Sequence, residues 1–197
     1  MAEVGASARA VHFPLTGVFS AIVPLLDGSS VEAATVGNEG MTGFDLLTAP
    51  AAGVYRVILQ IEGERLRLPA AEFETLLSGG GLLRPLVERY VMTVLRQSGQ
   101  TAACNLRHTL EERTCRWLLM THDRVGSDLF CLTQEFLGIM LGARRQSVAL
   151  AAAALQTAGL ISYRRGGIRI LDRAGLERAA CECYEAVKQS YGRVMRP

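Results

Sequence analysis

The chain has 197 residues, 49% hydrophobic and 20% charged, enough apolar material for one or two buried cores and too much for low-complexity disorder. No run approaches the roughly 20 consecutive apolar residues that span a bilayer, and the start, Met1-Ala2-Glu3-Val4, lacks the basic end and apolar run of a secretory signal, so the composition points to a soluble cytoplasmic protein. The net charge of +2 hides an asymmetry: 4 basic and 9 acidic side chains over residues 1–80, 7 and 5 over 81–132, and 10 and 5 over 133–197. Such a basic last part suits a polyanionic partner, the alternative being a solvated arginine-rich surface.

The first eighty residues read as strands and turns. Val18–Leu26 runs into Asp27-Gly28, a hairpin signal, and Ser30–Val36 follows as a second strand. Gly37, Gly40 and Gly43 punctuate a tight connection. Val54–Ile61 and Glu64–Leu68 read as two more strands, and short strands at this spacing suggest an antiparallel barrel or sandwich. A short helix over Ala71–Leu77 closes the segment at Gly79-Gly80-Gly81.

From Leu82 the apolar period lengthens to about three and a half. Leu83, Val87, Tyr90, Val94, Gln97, Thr101, Asn105 and His108 form a stripe along a helix of roughly 40 Å, at 1.5 Å per residue. Leu83, Val87, Tyr90, Val94 and Thr101 are accordingly the expected seam of a parallel homodimer, the competing assignment being an intramolecular core helix.

Next come a helix over Leu110–Thr121, a short strand at Leu129–Leu132, and a helix from the N-cap Thr133 to about Met140. Leu141-Gly142-Ala143 breaks it. A further helix over 144–157 puts Val148, Ala151, Ala152 and Leu155 on one face. A hairpin over 161–171 turns at Arg164-Arg165-Gly166-Gly167, and Asp172 caps a terminal helix reaching about Ser190. Helix, glycine turn, helix and basic-tipped hairpin make a winged helix. Arg144, Arg145, Gln146 and Ser147 occupy the first turn of its second helix, where base edges are read in a major groove. Arg164 and Arg165 suit phosphates, as do Thr133 and Gln134 at a helix start.

The five cysteines, Cys104, Cys115, Cys131, Cys181 and Cys183, show no paired Cys-x-x-Cys spacing and read as free thiols. Cys104, His108 and Glu112 could share a helical face and hold a metal, but such trios arise often by chance. Cys181 and Cys183 on one helix would point about 200° apart, which favours packing over joint ligation. The expectation is therefore no metal. An enzyme has little support: three histidines, no Gly-x-Ser-x-Gly, no Walker loop.

Leu132–Val148, with Leu155-Gln156-Thr157-Ala158-Gly159-Leu160-Ile161 after it, resembles the Crp/Fnr family of transcription regulators, and the resemblance extends over essentially the whole chain. It implies an α+β architecture: a partial, cyclic-nucleotide-binding-like antiparallel β-barrel over 1–81, a dimerisation helix over 82–109 and a winged helix-turn-helix DNA-binding domain over 110–197. It implies a homodimer on double-stranded DNA with an inverted repeat, with RNA polymerase as a further partner and no membrane. Arg145-Gln146-Ser147-Val148 falls on the family's Arg-Glu-(Ser/Thr)-Val stretch, so Gln146 alters the expected half-site. Gly43-Phe44-Asp45-Leu46 and Gly53-Val54-Tyr55-Arg56 depart from the family's phosphate cassette, so neither a cyclic nucleotide nor, without an N-terminal cysteine cluster, an iron–sulfur centre is expected. Val11–Val18 resembles a mid-barrel strand, which implies that the first strands are missing. The alternative function is a ligand- or redox-switched sensor whose barrel, or Cys104, Cys115 or Cys131, gates DNA binding.

Overall fold

The computed structural model describes residues 3–47, 53, 55–164 and 166–195. Its first unit contains five antiparallel strands, β1 (Ala10–Pro14), β2 (Val18–Pro24), β3 (Ser30–Val36), β4 (Arg56–Ile61) and β5 (Arg65–Pro69), followed by the helix α1 (Ala70–Ser78). β1 pairs with β5 and makes a single bridge from His12 to Thr42, and β2 lies between β3 and β4. Among the described residues these are two open sheets, so the expected barrel is not closed. The reason is visible in β2, which is buried on both faces. Phe19 and Ala21 enter the core of the first unit, while Ile22 enters the core of the second, and Ser20 donates to Met140 Sδ at 3.3 Å. Helices of the second unit thus cover the face that further strands would otherwise have to enclose.

The long helix α2 (Leu83–Arg107) lies along the other face. Val87, Tyr90 and Val94 are only 2–3% exposed, packed into the first core, and Leu83 lies half-buried against it. Thr101 is half-buried and accepts from Arg116 at 2.9 Å. The stripe expected to be a dimer seam is therefore intramolecular: the apolar sheet unit needs a cover, and α2 supplies it. A second stripe points away from the molecule, with Met92, Leu95 and Leu106 exposed and Gly99 open to space.

The second unit runs through α3 (Leu110–Val125), β6 (Leu129–Cys131), α4 (Gln134–Leu141), α5 (Arg145–Thr157), β7 (Ile161–Arg164), β8 (Gly167–Ile170), α6 (Arg173–Ala179) and α7 (Cys183–Val194). A capping box starts α3: Thr109 Oγ1 accepts from Glu112 N, and Glu112 returns a carboxylate to Thr109 N. That engagement removes Glu112 from the trio with Cys104 and His108. The expected single terminal helix is two, because Ala180 turns extended after α6 and Cys181 and Glu182 connect to α7. No helix is long and apolar enough to cross a membrane among the described residues.

Candidate nucleic-acid interface

The helix-turn-helix is fixed from both ends. Thr133 caps α4, its Oγ1 accepting from Phe136 N at 3.1 Å. Gly142 ends α4 at φ 58°, the left-handed conformation that glycine enters without the strain of a side chain. Arg113 of α3 donates to the Leu141 carbonyl, tying the end of α4 to the helix behind it. The chain then extends through Arg144 and enters α5.

α5 has two faces. Val148, Ala151, Ala152 and Leu155 are buried, as their spacing requires, and the two alanines let α5 approach its neighbours closely. Arg144, Arg145, Gln146 and Ser147 are all exposed. None of their side chains has a hydrogen-bond or ion-pair partner among the described residues. Whereas α3, α4 and α6 have side-chain caps in Thr109, Thr133 and Asp172, α5 has none. Its first N–H groups therefore face solvent beside two arginines, an arrangement that favours an anion.

The wing is held against this helix. Tyr163 N of β7 donates to Gln156 Oε1 of α5 at 2.9 Å, and Tyr163 Oη donates to the Leu132 carbonyl, also at 2.9 Å, one residue before the α4 cap. Burial pushes the Tyr163 phenol above its ordinary value while the Arg145 charge opposes the shift, so Arg145 lies close enough to act on the ring. Arg164 is exposed at the end of β7; Arg165 lies outside the described residues. Thr133 is exposed and Gln134 half-buried at the start of α4. The structure thus gathers the helix start, the first turn of α5 and Arg164 onto one winged helix.

Two further residues stand out. Arg169 is exposed on β8 between buried Ile168 and Ile170, with no partner among the described residues, and Leu150 is 72% exposed on α5, four residues beyond Gln146. Leu150's position off the Val148–Leu155 face was the available signal for it. Conversely, Arg173 does not belong to the free cationic surface: it bonds Asp123 at 2.6 Å, Glu177 at 3.0 Å and Tyr184 Oη at 2.8 Å.

Residues 112–179 match the Crp-like helix-turn-helix domain. No curated protein matches the chain at a significant level. Among solved structures it is similar to a CRP-family transcriptional regulator from Thermus thermophilus, at 22% identity and TM-score 0.73, with 90% of each chain covered. FixK2 from Bradyrhizobium japonicum gives 18% identity and TM-score 0.75, again over 90% of each chain. A CRP/FNR-family regulator, also from Thermus thermophilus, gives 18% identity and TM-score 0.65 over 90% of each.

Proposed function

We propose that this chain, which carries a Crp-like helix-turn-helix domain within the fold of Crp/Fnr regulators, is a homodimeric, sequence-specific DNA-binding transcription regulator. The observation that carries the reading is the first turn of α5: four polar side chains exposed and unengaged on a helix whose opposite face is buried. With α5 in a major groove, Arg145 pairs with guanine O6 and N7, Gln146 with adenine, and Arg144 and Ser147 take a base or a phosphate. Leu150 meets a thymine methyl. Arg164 and the start of α4 at Thr133 and Gln134 bear on phosphates.

Two copies associate through the outward stripe of α2, where Met92, Leu95 and Leu106 are exposed on one side of the helix and Gly99 permits close approach. Two α5 helices then enter successive major grooves about 34 Å apart, which calls for an inverted repeat. RNA polymerase is a further partner of a regulator of this type.

A ligand-gated version is favoured by a cavity of about 500 Å³ in the first unit, lined by Arg9, His12, Arg65 and Arg67 among others. Its cationic lining suits a small anion, yet we assign no cyclic nucleotide, since Arg56 pairs with Glu3 at 2.7 Å.

The test is selection of bound duplexes from a randomised pool by the purified chain at about 0.15 M salt, where weak non-specific binding is screened. An inverted repeat with two equal half-sites is expected. A folded, dimeric protein that enriches no motif, with or without a panel of small anions, would refute sequence-specific reading.

A further inference from the structure

We propose that Cys104, His108, Cys181 and Cys183 form a zinc site that clamps the end of α2 to the start of α7. The four ligand atoms lie within 4.8 Å of one another, and all three cysteines are buried. Cys104 Sγ is 3.5 Å from Cys181 Sγ, and Cys183 Sγ is 3.6 Å from His108 Nδ1. A tetrahedral zinc ion with bonds of about 2.3 Å to sulfur and about 2.05 Å to nitrogen sets its ligands about 3.8 Å (S to S) and about 3.6 Å (S to N) apart. The observed separations are already close to those edges.

The local folding explains how residues 77 apart reach one locus. Cys104 and His108 sit four residues apart at the end of α2, on one side of the helix. Cys181 lies in the connection after α6, and Cys183 opens α7. Because the two do not share a continuous helix, the 200° divergence expected from their spacing does not arise.

Polar groups around the cluster are arranged for a metal rather than for apolar packing. His108 Nε2 faces Glu182 Oε2 at 3.1 Å, leaving Nδ1 toward the sulfurs; a carboxylate on the far nitrogen is the usual support of a ligating imidazole. Gln100 Nε2 donates to Cys183 Sγ at 3.0 Å, a bond that strengthens when the sulfur is a thiolate. Charge gives an independent argument. Arg116 is buried, its guanidinium bonded to Thr101, and Arg113 is half-buried; neither has a carboxylate within ion-pair distance among the described residues, and one nitrogen of each is buried without a partner. Both line one small cavity beside the end of α2, together with Glu32, Thr101 and Asn105. Zn²⁺ with three thiolates carries one net negative charge, the counter-charge that two under-partnered guanidiniums call for.

A disulfide is the competing chemistry. It would close Cys104 and Cys181 to about 2.0 Å and leave Cys183, His108 and the Glu182 contact without a role. The zinc site uses all of them. Holding α2 to α7 would stabilise the second unit against the long helix, since binding to the folded state alone adds to stability.

The test uses the full chain, purified with a non-chelating phosphine reductant. We expect zinc to co-purify at a single ion per chain, release with a thiol-modifying reagent, and a rise in melting temperature when zinc is restored. Cobalt(II) added to the zinc-free chain should give the strong visible bands of tetrahedral coordination together with thiolate-to-cobalt charge transfer. Cys181→Ser and Cys183→Ser should weaken metal retention at least tenfold, while Cys131→Ser, on an exposed strand residue, should leave it unchanged. The cobalt spectrum of the unmodified chain decides the matter even where a variant fails to fold. A reduced, folded chain that holds less than a tenth of an ion and gives only the weak spectrum of hydrated cobalt overturns the proposal. So does a chain whose Cys104–Cys181 disulfide, once reduced, yields thiols that take up neither metal.

Discussion

Trp117 Nε1 donates a 2.8 Å hydrogen bond to Glu32 Oε2, joining α3 of the winged-helix unit to β3 of the sheet unit through two buried side chains. The bond satisfies the indole but only half of the carboxylate, since Glu32 Oε1 has no partner. Burial pushes this carboxyl above its ordinary 4.5, against the pull of its hydrogen bonds and of Arg116.

The pH dependence follows from the direction of that shift. The folded state holds the Glu32 proton more tightly than the unfolded chain, so the cost of ionising it is fully present above the folded pKa and disappears as pH falls to the unfolded value. Glu32→Gln keeps an acceptor for Trp117 and removes the charge. Its melting temperature should exceed that of the unmodified chain at pH 7, with the gain shrinking toward pH 4.5. Thermal denaturation across that range checks it; a gain that grows on acidification would contradict the assignment.

A second bond crosses the same boundary. Arg124 of α3 reaches Glu39 in the glycine-punctuated segment after β3, with N–O distances of 2.7 and 2.9 Å, and its side chain is 8% exposed. Removing one partner of a buried pair leaves an uncompensated charge, so Arg124→Ala should cost roughly 3–5 kcal/mol in denaturant unfolding. Glu39→Gln and the double variant complete a cycle. Additive losses would mean that the pair contributes no coupling.

The strands and the helix-turn-helix were legible because their signals are local: the short apolar runs of β2 and β3 on either side of Asp27-Gly28, the Thr133 and Asp172 caps, and Gly142, which takes φ 58° between α4 and α5. What escaped was tertiary. α2 carries two apolar stripes, and only the sheet decides that Val87, Tyr90 and Val94 are covered within the chain while Met92 and Leu95 stay outside. The break at Ala180–Glu182 has neither proline nor glycine to mark it, so the convergence of Cys181 and Cys183 on Cys104 could not be read from spacing. The role of Gly40 is equally non-local: a Cβ there would sit 2.3 Å from the Tyr90 ring of α2. The exposed face of α5 was legible because its buried and exposed residues separate at helical spacing.

The two faces of α2 can be told apart by charge insertion. Leu95 is 60% exposed, so if the proposed dimer forms through this face, Leu95→Asp should leave the far-ultraviolet circular dichroism and melting temperature nearly unchanged while shifting mass from dimer to monomer in light scattering. Val94, one position away and 2% exposed, sits in the first core, and Val94→Asp should lower the melting temperature sharply by burying an unpaired charge. A Leu95→Asp chain that remains dimeric at micromolar concentration would place the interface elsewhere.

The division of labour between α5 and the wing can be measured in binding. Arg145 begins α5 with no hydrogen-bond or ion-pair partner among the described residues, and if it reads a base edge as proposed, Arg145→Ala should remove roughly 1–3 kcal/mol of discrimination at a single base pair per half-site. Arg164 is exposed at the end of β7, where on the proposed reading it meets the backbone of the duplex whatever its sequence. Arg164→Ala should weaken all sequences alike and reduce the slope of log K against log salt by about 1 for each phosphate that the guanidinium neutralises. The two variants therefore differ in kind, one altering the preference profile and the other the salt dependence. Binding of both to a panel of single-base variants of the selected site, at three salt concentrations, separates them. An Arg145→Ala profile parallel to that of the unmodified chain at every position would show that Arg145 contacts the backbone rather than a base, and would move base reading to Gln146 and Leu150.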